Sequence, residues 1–229
     1  MARGGQGGQQ SQAGGTAAAS PDRRTVTRIL GVLDRTYPDA RCELNFSTPL
    51  ELLVATILSA QCTDARVNMV TARLFKKYRS ARAYAQADPA TFEEEIRSTG
   101  FFRSKAKNIL ACCQALVRDF GGTVPRTMDE LTRLPGVGRK TANLVLYNAH
   151  GIPGFAVDTH VARVTNRLGL VETDDPEAIQ ALLCPVIPRD RWGMATHLFI
   201  FHGRRTCAAK QPRCPQCTVR SLCPWPGKR

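Results

Sequence analysis

Leu134-Pro135-Gly136-Val137-Gly138-Arg139-Lys140-Thr141-Ala142 stands between two stretches of helical apolar spacing, and its reading sets the fold. Pro135 stops the first helix. Gly136 and Gly138 let the backbone turn tightly and approach a ligand with no Cβ in the way. The next helix then opens with unpaired N–H groups, an anion site that grips a phosphate through main chain without reading bases. A plain helix–helix turn is the simpler alternative, but Pro-Gly-x-Gly followed by Arg139, Lys140 and Thr141 is more than a turn requires. The motif spans about residues 127–149, with Thr127-Met-Asp-Glu130 as a capping box that opens a helix through Leu131 and Leu134.

The chain around it is helical in pattern. Leu50, Leu53, Val54, Ile57 and Leu58 share one helix face, and Val67, Val70, Leu74 and Tyr78 repeat the spacing after a Thr63 cap. Asp88-Pro89 starts another helix towards Phe92 and Ile96. Ile109 to Phe120 forms a further apolar face that stops at Gly121-Gly122. Later helices are expected over 138–148, 157–168, from Asp175-Pro176, and over 192–202. No stretch alternates with period two, so the class is all-α.

Two groups near the hairpin can carry chemistry. Lys140 is either one more phosphate-pairing cation or a nucleophile. An ordinary lysine, with a pKa of ~10.4, is free amine about once in a thousand molecules near neutral pH. First-turn placement and partial desolvation raise that fraction, and nearby phosphates oppose it. Position leaves both readings open. Asp158, in Phe155-Ala-Val-Asp158-Thr-His160-Val161, is a natural helix N-cap. At the edge of a cleft such a carboxylate can also steady positive charge or accept a proton.

Cys207, Cys214, Cys217 and Cys223 follow Cys-x6-Cys-x2-Cys-x5-Cys, a spacing that lets four thiolates converge on one metal centre, zinc or iron–sulfur. The last acidic residue is Asp190. Arg191, Arg204, Arg205, Lys210, Arg213, Arg220, Lys228 and Arg229 follow it and supply most of a net charge of +13. A pI near 9.8 favours a polyanionic partner. Residues 1–20 are Gly, Gln, Ala and Ser with Arg3, and are expected to remain an unfolded tail. No signal peptide or membrane-spanning run is apparent, and nine cysteines, an odd number, suit a reducing compartment. The expected setting is intracellular, cytoplasm or nucleoid. Cys42, Cys62, Cys112, Cys113 and Cys184 are expected to pack as small apolar side chains.

Together the hairpin 134–142, the block Val157-Asp158-Thr-His160, the segment Leu58-Ser-Ala-Gln61-Cys-Thr-Asp64 and the four-cysteine loop resemble endonuclease III, in family order from about residue 25 to 225. The resemblance implies two helical domains with DNA between them. A six-helix domain would span about 42–152, and an iron–sulfur domain would join 21–41 to 153–229, with its cluster loop at 207–223. It implies a [4Fe-4S] cluster on the four cysteines rather than zinc, with Lys210 and Arg213 held against the DNA backbone. It implies removal of oxidised pyrimidines from double-stranded DNA by attack of Lys140 on C1′, followed by β-elimination at the abasic site, with Asp158 assisting. An amine can form the iminium that this elimination needs, which a hydroxyl or water cannot. Gln61 and Phe101 would fill the gap left by the flipped nucleotide, although leucine is usual at the Phe101 position. Gly136, Gly138, Arg139, Thr141 and His160 would complete the DNA contacts. A monomer is expected. The alternatives are a monofunctional, adenine-type glycosylase and a non-catalytic helix-hairpin-helix DNA-binding protein.

Overall fold

The computed structural model describes residues 21–227. The expected unfolded tail, 1–20, lies outside the described residues, as do Lys228 and Arg229. Eleven α-helices occur among the described residues, with no strand: α1 Arg23–Thr36, α2 Pro49–Leu58, α3 Asp64–Lys77, α4 Ala81–Ala85, α5 Pro89–Ile96, α6 Phe102–Phe120, α7 Met128–Thr132, α8 Arg139–His150, α9 Thr159–Arg167, α10 Pro176–Leu183 and α11 Trp192–Arg205. No described helix is long and apolar enough to cross a membrane.

Local chemistry explains most of the boundaries. Thr48 and Glu51 form a reciprocal capping box ahead of Pro49, and Asp88-Pro89 and Asp175-Pro176 start α5 and α10 with a carboxylate cap and a proline in the first turn. Gly121 and Gly151 end α6 and α8 with left-handed φ of 58° and 65°. Some limits differ from the sequence expectation. The helix α7 stops at Thr132, so Leu134 lies beyond it, because the chain must already turn into the hairpin. The helix α11 runs one turn past His202, and the short α4 carries too few residues to show a periodic face.

Two hydrophobic cores organise these helices. The first is built from α2 to α8, around Leu52, Leu53, Leu58, Phe92, Ile109 and Leu116. The second combines α1 with α9, α10 and α11, around Ile29, Leu33, Phe155, Ile179 and Phe199. Each fully buried side chain of this size contributes about 1.5–3 kcal/mol, so both cores depend on the apolar stripes already visible in the sequence. Among the described residues the path therefore starts in the second core, crosses to build the first, and returns after α8. The helix α8 touches α11, and that contact brings the N-terminus of α8 beside the N-terminus of α9 across a groove.

Candidate active site

The hairpin after α7 assigns its two glycines different tasks. Gly136 has φ 76°, and a Cβ there would come within 2.7 Å of Asn108 Cβ, so glycine is needed both for the turn and for packing against α6. Gly138 has an ordinary φ of −88° and serves as the N-cap of α8 without a side-chain cap bond. A Cβ on Gly138 would meet nothing within 4 Å, which keeps the start of α8 open to an approaching group. Arg139 and Lys140 are the first two residues of α8, and both are exposed. Arg139 Nε lies 3.5 Å from Glu177 Oε1 in a solvent-exposed ion pair. Lys140 keeps an exposed side chain at the mouth of the groove.

Asp158 is the N-cap of α9, as its position predicts. Its Oδ1 accepts from His160 N at 2.9 Å and Val161 N at 2.8 Å. Both bonds fall on one oxygen, so Oδ2 carries no protein hydrogen bond among the described residues. Lys140 and Asp158 line one open cavity of about 300 Å³, together with Gln61 and His160. His160 is half-buried, and its Nδ1 lies 3.1 Å from Arg163 Nη2. Burial holds its imidazole below the usual range, opposed by the Asp158 carboxylate and assisted by Arg163 and Arg204.

A second cavity of about 240 Å³ lies on the other side of Gln61, which lines both, with Phe101, Gly136 and Thr141 on its walls. Gln61 and Phe101 are the two non-glycine residues with positive φ among the described residues, at 51° and 46°. Such conformations cost of order 1–3 kcal/mol each and persist where the surrounding structure holds them. Phe101 is 68 % exposed, the most exposed large apolar side chain described. That exposure rules out a buried anchor of the loop.

Several residues of this site were not singled out from the sequence. Arg204 at the end of α11 spans the groove and pairs with Glu43 and with Asp64, the latter at 2.8 Å. Cys42 and Cys62 pack partly buried against the first core, as expected, and also line the same cavity as Lys140. Cys112 and Cys113 fit that expectation and are 1 % exposed. Nothing in the spacing joins residues 43, 64 and 204, so this pairing left no signal in the sequence.

The four thiols of Cys207, Cys214, Cys217 and Cys223 line a separate, apolar cavity with Leu168, Pro212 and Trp225. Arg167 Nη1 donates to Cys207 Sγ at 3.4 Å, and His202 Nε2 lies 3.8 Å from Cys217 Sγ. No three His, Cys, Asp or Glu side chains among the described residues are gathered tightly enough to hold a single ion. A ring of four soft donors around a cavity, with the Arg167 guanidinium on one sulfur, fits a thiolate-bound cluster. Lys210 and Arg213 sit exposed on the loop between Cys207 and Cys214 and line neither of the two cavities by the hairpin.

An all-helical chain with a glycine hairpin opening onto a lysine and a capping carboxylate has the architecture of helix-hairpin-helix repair proteins. The model of the HhH-GPD superfamily base excision DNA repair proteins matches residues 54–189. Endonuclease III of Synechocystis sp. is 51% identical over 203 residues, covering 88% of this chain and 93% of that protein. A solved non-covalent endonuclease III–DNA complex is similar with a TM-score of 0.86 and 46% identity, over 89% of this chain and 95% of that one. A trapped endonuclease III–DNA covalent intermediate also has a TM-score of 0.86 and 46% identity, over 89% and 96%. The chain belongs to the endonuclease III family.

Proposed function

We propose that this protein is a bifunctional DNA glycosylase and abasic-site lyase of base-excision repair, acting on oxidised pyrimidines in double-stranded DNA. The observation that carries the reading is the shared cavity of Lys140 and Asp158, each at the start of a helix and on opposite sides of a groove. In it the Lys140 amine attacks C1′ of an extruded nucleotide, the C1′–N bond breaks, and the base leaves with the electron pair. Asp158 Oδ2 faces the positive charge that develops on the sugar and takes a proton from the attacking amine. Opening of the sugar gives an iminium, which acidifies the C2′ protons. Loss of one of them expels the 3′ phosphate, and hydrolysis then frees Lys140. Bound phosphates and the sugar supply the covering that exposed Lys140 lacks in the free protein.

Gly136, Gly138, Arg139 and Thr141 would hold the backbone through the hairpin, with His160 on the opposite wall, while Gln61 and Phe101 enter the duplex. Residues 42–152 would form one domain, and 21–41 with 153–229 the other. Cys207, Cys214, Cys217 and Cys223 would hold a [4Fe-4S] cluster, whose contribution is to fix the loop that presents Lys210 and Arg213 to DNA. The protein would act as a monomer inside the cell. A relative trapped covalently on DNA supports the lysine chemistry.

Borohydride treatment with an abasic duplex tests the reading. The unaltered protein should yield a covalent protein–DNA adduct, Lys140→Ala none, and Asp158→Asn an adduct formed at least about a hundredfold more slowly with DNA binding retained. An adduct that survives Lys140→Ala at full yield would falsify the assignment. Binding without any nicking or trapping would favour a non-catalytic protein.

A further inference from the structure

Lys105 is 4 % exposed and sits in the first turn of α6, close behind Phe101. Both circumstances disfavour a cation. Burial removes its water, and the helix N-terminus presents positive partial charge. A purely structural core position would take leucine or methionine there. What the ammonium does is reach back over the turn: Nζ donates to the carbonyl of Thr99 at 2.7 Å. Thr99 is itself 2 % exposed, with its hydroxyl bonded to Ile96 O at 2.8 Å, so the tie is fastened to the core.

The turn it closes is unusual. Gly100 and Phe101 are consecutive residues with positive φ, 69° and 46°, Phe101 in the left-handed helical region, and no side chain caps the start of α6. Lys105 therefore holds Phe101 from two sides. Its backbone N–H bonds the Phe101 carbonyl at 3.1 Å, and its side chain fixes the carbonyl two residues before. Lys105 and Phe101 line the same cavity as Gln61.

We propose that Lys105 is a positioning residue for strand separation: its buried ammonium closes the Gly100–Phe101 turn and so holds the Phe101 ring out towards the duplex before DNA arrives. The inference rests on the function proposed above. Without the tie, Phe101 relaxes out of its left-handed conformation, and each binding event must first restore it.

The test uses the full-length protein and two substrates, a duplex with one abasic site and the same strand alone, which has no gap to fill. The ratio of duplex to single-strand nicking should fall about tenfold in Lys105→Met, the scale of one strained left-handed residue. In a Phe101→Ala background, Lys105→Met should change that ratio by less than about twofold, because the residue it positions is gone. Fluorescence of 2-aminopurine opposite the abasic site should show the same loss of strand opening. The proposal fails if Lys105→Met leaves the ratio unchanged, if it slows both substrates equally, or if its effect multiplies with that of Phe101→Ala. Should Lys105→Met not fold, Lys105→Gln, whose side chain is one bond shorter and carries no charge to hold the Thr99 carbonyl, is read in the same way. A parent protein that nicks neither substrate overturns the proposed function instead.

Discussion

His197 shows how single residues in this site are tuned by their surroundings. It is 4 % exposed, and its Nε2 lies 2.9 Å from Asn148 Oδ1, between α11 and α8. Burial pushes its imidazole down to about 4, and the Arg204 cation acts in the same direction. The unfolded chain binds a proton below pH ~6.5 that the folded chain refuses. Stability attached to His197 is thus intact above that pH, is lost as pH falls through it, and stops falling near pH 4. The midpoint of denaturant unfolding should decline between pH 7 and pH 4.5, and decline less steeply in His197→Gln. Equal slopes in the two proteins would remove His197 from the account. The same principle, one group and its immediate environment, governs Asp158, whose Oδ1 is committed to capping while Oδ2 stays available.

Between elements, the crossing of α8 and α11 determines the width of the groove, since α8 brings Lys140 and α11 brings Arg204 to one cavity. The helices approach closely because Gly193 has no side chain: a Cβ there would lie 2.1 Å from the Tyr147 ring. Three ring atoms of Tyr147 would lie within 2.2 Å of it, so relief needs a change of the whole tyrosine rotamer or a shift of the helices. Gly193→Ala should cost about 3 kcal/mol of stability, with part recovered on adding Tyr147→Ala. Chemical denaturation of the two variants decides it, and a fully stable Gly193→Ala would show that the helices can slide apart without penalty. The neighbouring Asn148–His197 hydrogen bond lies along the same crossing.

At the scale of the molecule, the dominant fact is charge: +13 overall, with no acid after Asp190. Exposed Arg and Lys side chains that meet phosphates release counterions, so affinity falls linearly on a log–log plot against salt, by about 0.9 in slope per phosphate neutralised. Lys210→Ser with Arg213→Ser should lower that slope by about 2 for undamaged duplex and weaken binding to all sequences alike. A slope unaffected by both changes, measured by fluorescence anisotropy, would place the cysteine loop away from DNA. Several other cations are already engaged within the protein. Arg204 pairs with Glu43 and Asp64, and Arg205 with Asp39, so net charge overstates what is available to a ligand.

Much of this protein follows from short-range pattern. Caps such as Thr48, Asp88 and Asp175, glycine stops at 121 and 151, and apolar stripes with helical period are written within a few residues of where they act, and the helices appear there. The hairpin's turn and the capping role of Asp158 are equally local, because a backbone donor and its acceptor lie within four residues. The meeting of Lys140 with Asp158 and the placing of Cys42, Cys62 and Arg204 in the same cavity are not local. They depend on how two cores settle against each other across the α8–α11 contact. Sequence by itself therefore determined which helices form and what each could offer. The tertiary structure decided which offers share a groove, since distance between groups far apart in the chain is set by packing and not by propensity.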